Sequence, residues 1–433
     1  MMKNDLKGTG ISIILCVFLL GTMMLTGSSC SGKQRMFIEA SGYEEGYVPG
    51  EDYNPTSLSG DLTYDVIEKN ERGILFLAGN YLFFTDSETL SARPLCNKPE
   101  CLHNQEEDPG KVPECNAFFP QGHRERFLGA CRDKYYLSTT DTETGKTVLL
   151  EMNEDGSERR VLLSDMSNVL QGTTRIHRGV IFYADSETDL EGNRRYFLKA
   201  LSLVKKQKKP IVLFEGTKKN GTIISVFPYG NNVYYTEQYE TEDTEDGEQN
   251  PAGLTERIYR CDIRTGETES VTSESFYSIV GVRSGKIILN HKLDYFEYDP
   301  ASGELIPEHG GLQHFSDLHP DWTCMAGNIT ANVSFFSCFD RTKMENIPDR
   351  IAADTEGNEI CRLEGQAFCI WESQVIRLNG EDYYITWTPT FSPFAVQAYK
   401  MSDLKSGRVE AVNLLEVEDY NKELSPAYIY SAR

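Results

Sequence analysis

The chain has 433 residues and a formal net charge of −23, from 66 Asp and Glu residues against 43 Lys and Arg residues. This acidic surplus argues against nucleic-acid binding through a basic surface, because contacts to phosphates require clustered Lys and Arg. The charge favours solubility, and cationic partners or divalent ions would complement it. The length suffices for two or three ordinary domains or for one large closed repeat.

Residues 1–30 have the pattern of an export signal. Lys3 and Lys7 precede an apolar run at 11–25, which is shorter than the roughly 20 residues that a membrane-spanning helix needs. Small residues then precede Cys30, an arrangement that resembles a bacterial lipoprotein signal. The resemblance implies that Cys30 is acylated and that the protein is anchored to the outer face of the cell membrane. An ordinary cleaved signal and an uncleaved anchor are the alternatives, and all three export the folded part.

The rest of the chain divides into a tether and a repeat. Residues 31–60 are rich in Gly, Ser, Glu, Tyr and Pro without a periodic pattern, which predicts a flexible tether. Within 61–433 one short motif recurs: a small or polar turn residue, then apolar and aromatic residues, then a polar exit. Its central residues follow one another at intervals of 47 to 53 residues: Phe84, Tyr136, Tyr183, Tyr235, Ile288, Phe336 and Tyr384.

Each recurrence is accompanied by a polar turn with a central glycine, such as 154–157 and 301–304. Glycine permits the positive φ angles of tight turns. Each unit of about 50 residues therefore predicts four short strands, which is the size of one propeller blade. The predicted fold class is all-β, a β-propeller of four-stranded blades, with seven blades preferred and six or eight as alternatives. Closure of the ring is expected to pair a strand near 62–67 with the last unit.

The period and strand pattern over about 61–430 resemble the superfamily of bacterial propeller proteins that includes TolB-like domains. That resemblance implies the fold and no particular activity. The sequence contains no serine nucleophile elbow, zinc-protease helix, phosphate loop or dinucleotide fingerprint, and no catalytic residue is predicted. We therefore favour a non-enzymatic binding or scaffold module of the cell envelope, with an unknown protein, peptide or glycan as ligand. The alternatives are a hydrolase or lyase acting on envelope glycans or peptides at the channel mouth, and an accessory or sensory subunit of a membrane transporter or kinase.

An insertion at 94–119, expected in the hairpin of the third and fourth strands of its blade, carries four candidate metal ligands: Cys96, Cys101, His103 and Cys115. Three thiolates and one imidazole suit a tetrahedral structural zinc site. Metal binding would fold a loop that has too few apolar residues to fold alone. The alternatives are a pair of disulfides that also uses Cys131, and free thiols. The run also resembles a motif of exported propeller lipoproteins from anaerobic Gram-positive bacteria, and this resemblance implies a metal.

Aromatic residues on one predicted loop are candidates for ligand binding. Long loops on a rigid scaffold often carry recognition, and the loop at 387–396 contains Trp387, Phe391 and Phe394. Exposed rings there would stack on sugars or on a partner peptide. The alternative is that the same rings belong to the core of the propeller.

Two smaller groups of side chains also stand out. Cys324 and Cys338 flank one predicted hairpin and are candidates for a disulfide. Three histidines, His309, His314 and His319, lie within eleven residues of one another, so that a metal or acid–base site and a polar loop are both consistent with the sequence.

Overall fold

The protein is described here from a computed structural model that covers residues 66–69, 73–104, 114–119, 127–141, 144, 146–166, 173–188, 190, 194–204, 209–240, 253–273, 277–365, 373–387, 393–418 and 423. These residues form seven antiparallel sheets arranged in a ring, which is a β-propeller. The predicted all-β fold and the preferred number of seven blades are confirmed. The expected signal, the lipidated Cys30, the tether and Phe391 lie outside the described residues.

The strands follow the chain blade by blade. Blade one contains β1 (Val66–Lys69), β2 (Gly73–Ala78), β3 (Tyr81–Asp86) and β4 (Ala92–Pro94). Blade two contains β5 (Leu128–Cys131), β6 (Lys134–Thr140), β7 (Thr147–Asn153) and β8 (Arg160–Met166). Blade three contains β9 (Thr174–His177), β10 (Val180–Thr188), β11 (Arg194–Ser202) and β12 (Ile211–Gly216). Blade four contains β13 (Thr222–Tyr229), β14 (Asn232–Glu240), β15 (Leu254–Asp262) and β16 (Thr268–Ser270).

The remaining blades have the same order. Blade five contains β17 (Tyr277–Arg283), β18 (Lys286–His291), β19 (Asp294–Tyr298) and β20 (Leu305–Pro307). Blade six contains β21 (Trp322–Ile329), β22 (Ser334–Asp340), β23 (Glu345–Asn346), β24 (Arg350–Ala353) and β25 (Glu359–Leu363), with β23 as a short addition paired with β22. Blade seven contains β26 (Ser373–Leu378), β27 (Glu381–Trp387), β28 (Phe394–Lys400) and β29 (Ala411–Val417).

The recurring apolar residues lie at equivalent places in six of the seven blades. In blades two to seven each lies on the second strand and is buried: Tyr136, Tyr183, Tyr235, Ile288, Phe336 and Tyr384. A blade packs against a neighbour on each face, so its inner strands are covered on both sides. This is why β2 is buried at all six positions and reads as a continuous apolar run instead of an alternating one.

Within the described residues, no strand is exchanged between the first and the last blade. We expected a strand near 62–67 to pair with the last unit; residues 62–65 lie outside the described residues, and for residues 66 and 67 the prediction is wrong. In the structure β1 pairs with β2, with Val66 opposite Phe76, and blade seven takes all four of its strands from its own sequence. Blades one and seven instead share a hydrophobic cluster, and the Asn379 side-chain amide donates a 3.3 Å hydrogen bond to the Ser87 carbonyl oxygen.

Strand β1 is the first of the four strands of blade one. Phe84 consequently lies on the third strand of its sheet and not on the second. The cysteine-rich insertion follows β4, which is the fourth strand, so it lies in the connection between blades one and two. Its expected position inside a hairpin of one blade is therefore corrected.

Helical structure is limited to two short segments among the described residues, α1 (Gly311–Leu318) and α2 (Met401–Lys405). Leu312 and Phe315 on α1 are fully buried, and the Phe315 ring stacks on Phe336 of blade six with centroids 4.1 Å apart. In the part of the chain that the structure describes, no helix has the length and apolar character needed to cross a membrane.

Candidate metal centre

The four predicted metal ligands come together in space. One ligand atom from each of Cys96, Cys101, His103 and Cys115 lies within 4.8 Å of all the others. Cys115 is buried, whereas the other three side chains are partly exposed. Within the described residues this is the one group of three or more Cys, His, Asp or Glu side chains with such spacing, so the histidines at 309, 314 and 319 form no comparable group.

The geometry of the cluster fits a tetrahedral metal ion. Zinc bonds of about 2.3 Å to sulfur and about 2.0 Å to nitrogen would place neighbouring ligand atoms about 3.5–3.8 Å apart. The Sγ of Cys115 lies 3.5 Å from the Nδ1 of His103. Four protein ligands fill a tetrahedral shell, which is the arrangement of structural zinc sites, whereas catalytic sites keep one position open.

A compact turn presents the first three ligands. The Cys101 amide donates to the Lys98 carbonyl oxygen at 3.1 Å, and the Cys96 amide donates to the Pro94 carbonyl oxygen at 2.8 Å. His103 has a positive φ of 55°, which turns the chain back so that its amide lies 3.4 Å from the Cys101 Sγ. Sequence spacing alone predicted that one turn would carry these ligands, and the structure agrees.

Strand β3 holds the second half of the site. The Leu82 amide donates to the Ala117 carbonyl oxygen at 2.9 Å, so the segment after Cys115 continues the edge of blade one beyond β4. The Tyr81 hydroxyl donates to the His103 carbonyl oxygen at 2.9 Å. One strand of the propeller therefore fixes both halves of the ligand set relative to each other.

The turn between β7 and β8 of blade two also contacts the segment that follows Cys115. Arg159 donates to the carbonyl oxygens of Asn116 and Phe118, the latter at 3.1 Å, and its guanidinium lies 3.8 Å from the centroid of the Phe119 ring. Gly156 has a φ of +75°, and a Cβ there would lie 2.5 Å from the Asn116 carbonyl oxygen. Glycine is therefore required by both its conformation and the close approach. The sequence marked this residue as a turn glycine but gave no sign of its contact.

The surroundings of the cluster shift the pKa values of two of its thiols and of Arg159. Burial tends to raise the pKa of Cys96, but the amides of Lys98 and Asn116 outweigh it, so the pKa of this thiol is lowered. Burial raises the pKa of Cys115 to about 12, so an incoming metal ion must displace its proton. Burial lowers the pKa of Arg159 to about 10, and the group still carries a positive charge beside the sulfurs at neutral pH.

Two of the three aromatic rings predicted to bind a ligand are buried, and the third, Phe391, lies outside the described residues. Trp387 is 0% exposed and Phe394 is 1% exposed, and both belong to the cluster between blades one and seven. The expectation that these two rings stack on a ligand from an exposed loop is therefore corrected. The reason is positional: Trp387 ends β27 and Phe394 begins β28, so both rings project from strands.

All eight cysteines in the described part of the chain are free thiols, including Cys131. Cys324 and Cys338 nevertheless lie directly opposite each other on β21 and β22, with their sulfur atoms 2.9 Å apart in the protein core. Antiparallel strands hold opposite residues at a nearly fixed separation, so these thiols meet without backbone movement.

We expect oxidation to join Cys324 and Cys338. After incubation with oxidised glutathione, unfolding and alkylation, peptide mass spectrometry should detect the linked pair, while Cys261 and Cys361 are alkylated. Recovery of both cysteines in alkylated form would contradict the prediction.

No protein-family model matches the sequence, and no curated protein matches it. Solved structures do match. Prolyl oligopeptidase B from Galerina marginata aligns with a TM-score of 0.50 and 8% identity, over 84% of this chain and 52% of that one. The β-propeller domain of the Trilobed protease from Pyrococcus furiosus aligns with a TM-score of 0.44 and 10% identity, over 87% and 99% of the two chains. TolB from Acinetobacter baumannii aligns with a TM-score of 0.31 and 12% identity, over 82% and 80%.

These likenesses concern the fold alone, because every identity is low. The chain spans about half the length of the peptidase from Galerina marginata and of a puromycin-hydrolysing peptidase from Mycobacterium tuberculosis, which it also resembles. The seven antiparallel sheets show a β-propeller, and the comparisons add no family or activity to that fold.

Proposed function

We propose that this chain is an exported, lipid-anchored β-propeller that acts as a non-enzymatic binding or scaffold module. A structural zinc ion would cross-link the connection between its first two blades. The observation that carries the proposal is the set of four ligand atoms, from three cysteines and one histidine, within 4.8 Å of one another. Cys96, Cys101, His103 and Cys115 would hold the ion. It would supply cross-links between segments that are far apart in the sequence.

The position of the site supports a structural role. Its ligands lie in the connection between two blades, and the surrounding segment contacts β3 of blade one and Arg159 of blade two. A bound ion would therefore stiffen the junction of these blades. Because the four protein ligands complete a tetrahedron, the site offers no position to a substrate or an attacking water.

Two buried carboxylates elsewhere in the ring are engaged in support of the fold. Glu237 accepts from Lys218 at 2.7 Å and from the Tyr196 hydroxyl at 2.6 Å, which joins blades three and four. Glu308 accepts from Arg283 at 2.9 Å within blade five. Carboxylates that are held in this way stabilise the contacts between and within blades.

Export and anchoring rest on the sequence pattern that ends at Cys30. A lipid on this residue would hold the propeller at the outer face of the cell membrane, with residues 31–60 as the spacer. A rigid ring that presents loops is suited to a protein, peptide or glycan partner.

The proposal is tested on the full-length protein in two independent ways. Elemental analysis of the purified protein should find about one zinc ion per chain, removed by a strong chelator. Labelling of producing bacteria with a radioactive fatty acid should mark the wild-type protein and not Cys30→Ser. Purified protein without zinc that fails to bind added zinc would overturn the structural site, and an unlabelled wild-type protein would overturn the lipid anchor.

A further inference from the structure

A cleft opens directly beside the metal centre, at the junction of blade one, the metal-binding turn and blade two. Its volume is about 410 Å³, within the range of roughly 300–1,000 Å³ that is usual for small-molecule sites. Cys96 and Asn97 of the metal-binding turn form part of its wall. The cleft is therefore built from three separate parts of the chain.

The apolar part of the lining is aromatic. Phe84 on β3 and Tyr135 on β6 face the cleft from the two blades, and Pro94 and Leu95 lie between them. Tyr135 is 1% exposed, so its ring is fixed in the core while one part of it borders the cleft. A rigid aromatic ring in the lining is suited to hold an apolar side chain or a planar group.

Charged groups of opposite sign complete the lining. Arg93 extends along the Phe84 ring, with its guanidinium carbon 5.9 Å from the ring centroid, and it forms no ion pair within the described residues. Glu154 and Asp155 lie at the turn between β7 and β8. In a protein of net charge −23, an arginine without an ion pair and two carboxylates in the lining of one cleft offer an anion site and a cation site together.

We infer that this cleft binds a short apolar peptide or an amino acid with free termini, the ligand carboxylate at Arg93 and the ligand ammonium at Glu154. A ligand with both charges satisfies both ends, and an apolar side chain would pack against the partly exposed Phe84 ring. This inference deepens the proposed binding function and rests on it. It assigns that function a site and a ligand class.

The metal ion is expected to control the shape of the cleft. The Asn97 side-chain amide donates a 2.7 Å hydrogen bond to the Asp155 carboxylate, which ties the metal-binding turn to blade two, and Cys96 would be a ligand of the ion. Loss of the ion would release the wall that these two residues form. Ligand affinity should therefore depend on metal occupancy although the ligand does not touch the metal.

The test uses the metal-loaded full-length protein and the dipeptide leucyl-phenylalanine as probe, with isothermal titration calorimetry as the measurement. We expect saturable binding, and affinity reduced about ten-fold or more for the N-acetylated and the C-amidated dipeptides, since each loses one charge-assisted contact. Arg93→Gln should weaken binding of the free dipeptide while binding of the amide is unchanged. Glu154→Gln should weaken binding of the free dipeptide, while binding of the acetylated dipeptide is unchanged.

Matched controls separate the cleft from general charge effects. Arg194→Gln in blade three and Glu158→Gln beside the cleft remove the same charges from exposed positions outside the lining, and both should bind as the wild type does. Equal affinity for the dipeptide and its capped forms would overturn the inference, as would the absence of binding up to about 10 mM. Unchanged affinity after chelation would overturn the coupling to the metal.

The outcomes also distinguish this inference from the proposed function. If the protein binds one zinc ion and no dipeptide, the proposed function stands and this cleft is not its binding site. If it binds no zinc but still binds the free dipeptide, the cleft stands and the structural metal is overturned.

Discussion

Replacement of Cys101 with serine is expected to abolish stoichiometric zinc binding and to loosen the segment at 95–119, while the seven blades stay folded. A serine hydroxyl does not replace a thiolate as a zinc ligand. Structural zinc contributes about 10–16 kcal/mol in small zinc-binding peptides, so loss of one of four ligands should lower the affinity by orders of magnitude. Elemental analysis measures the zinc content, and limited proteolysis measures the accessibility of the segment at 95–119. Circular dichroism shows whether the blades stay folded.

The matched control for this variant is Cys131→Ser. Cys131 lies at the end of β5, outside the set of four ligand atoms, and the alternative of two disulfides would require it. Zinc content should be unchanged in the control. Retention of zinc by Cys101→Ser, or global unfolding of that variant in circular dichroism, would contradict the assignment of a local metal staple.

Replacement of Trp387 with alanine is expected to destabilise the ring by about 3–5 kcal/mol, the usual cost of removing a large buried aromatic side chain. The ring of Trp387 is 0% exposed and packs in the cluster shared by blades one and seven. Among the strands that the structure describes, none is exchanged across this junction, so side-chain packing is expected to carry most of the closure. Equilibrium unfolding in urea, followed by circular dichroism, measures the free energy of unfolding.

Trp322→Ala supplies the comparison at a site of the same residue type. Trp322 begins β21, is partly exposed and stacks on His319 with ring centroids 4.1 Å apart. Its removal should cost clearly less than that of Trp387, because less apolar surface returns to water. Similar unfolding free energies for wild type and Trp387→Ala would show that the junction of blades one and seven does not depend on this ring.

Local pattern was enough to predict the repeat. The strands that carry Tyr136, Tyr183 and Tyr235 each pair with neighbours close in the sequence, so turn glycines and apolar runs specify them. The ligands of the metal centre were equally local, because Cys96, Cys101 and His103 lie on one turn. The contacts of Arg159 and Gly156 with the segment after Cys115 were not predictable, since they join residues about 40 positions apart.

The sequence by itself determined that the chain repeats a β-blade unit, with seven copies preferred, and that three cysteines and one histidine lie close together in the chain, because both features are set over short stretches of sequence. Only the tertiary structure decided how the ring closes, where the insertion lies and which aromatic residues are buried. Val66 pairs with β2 rather than with blade seven, and Trp387 lies in the core rather than on a loop. These outcomes depend on competition among packing partners from opposite ends of the chain, which no local pattern records.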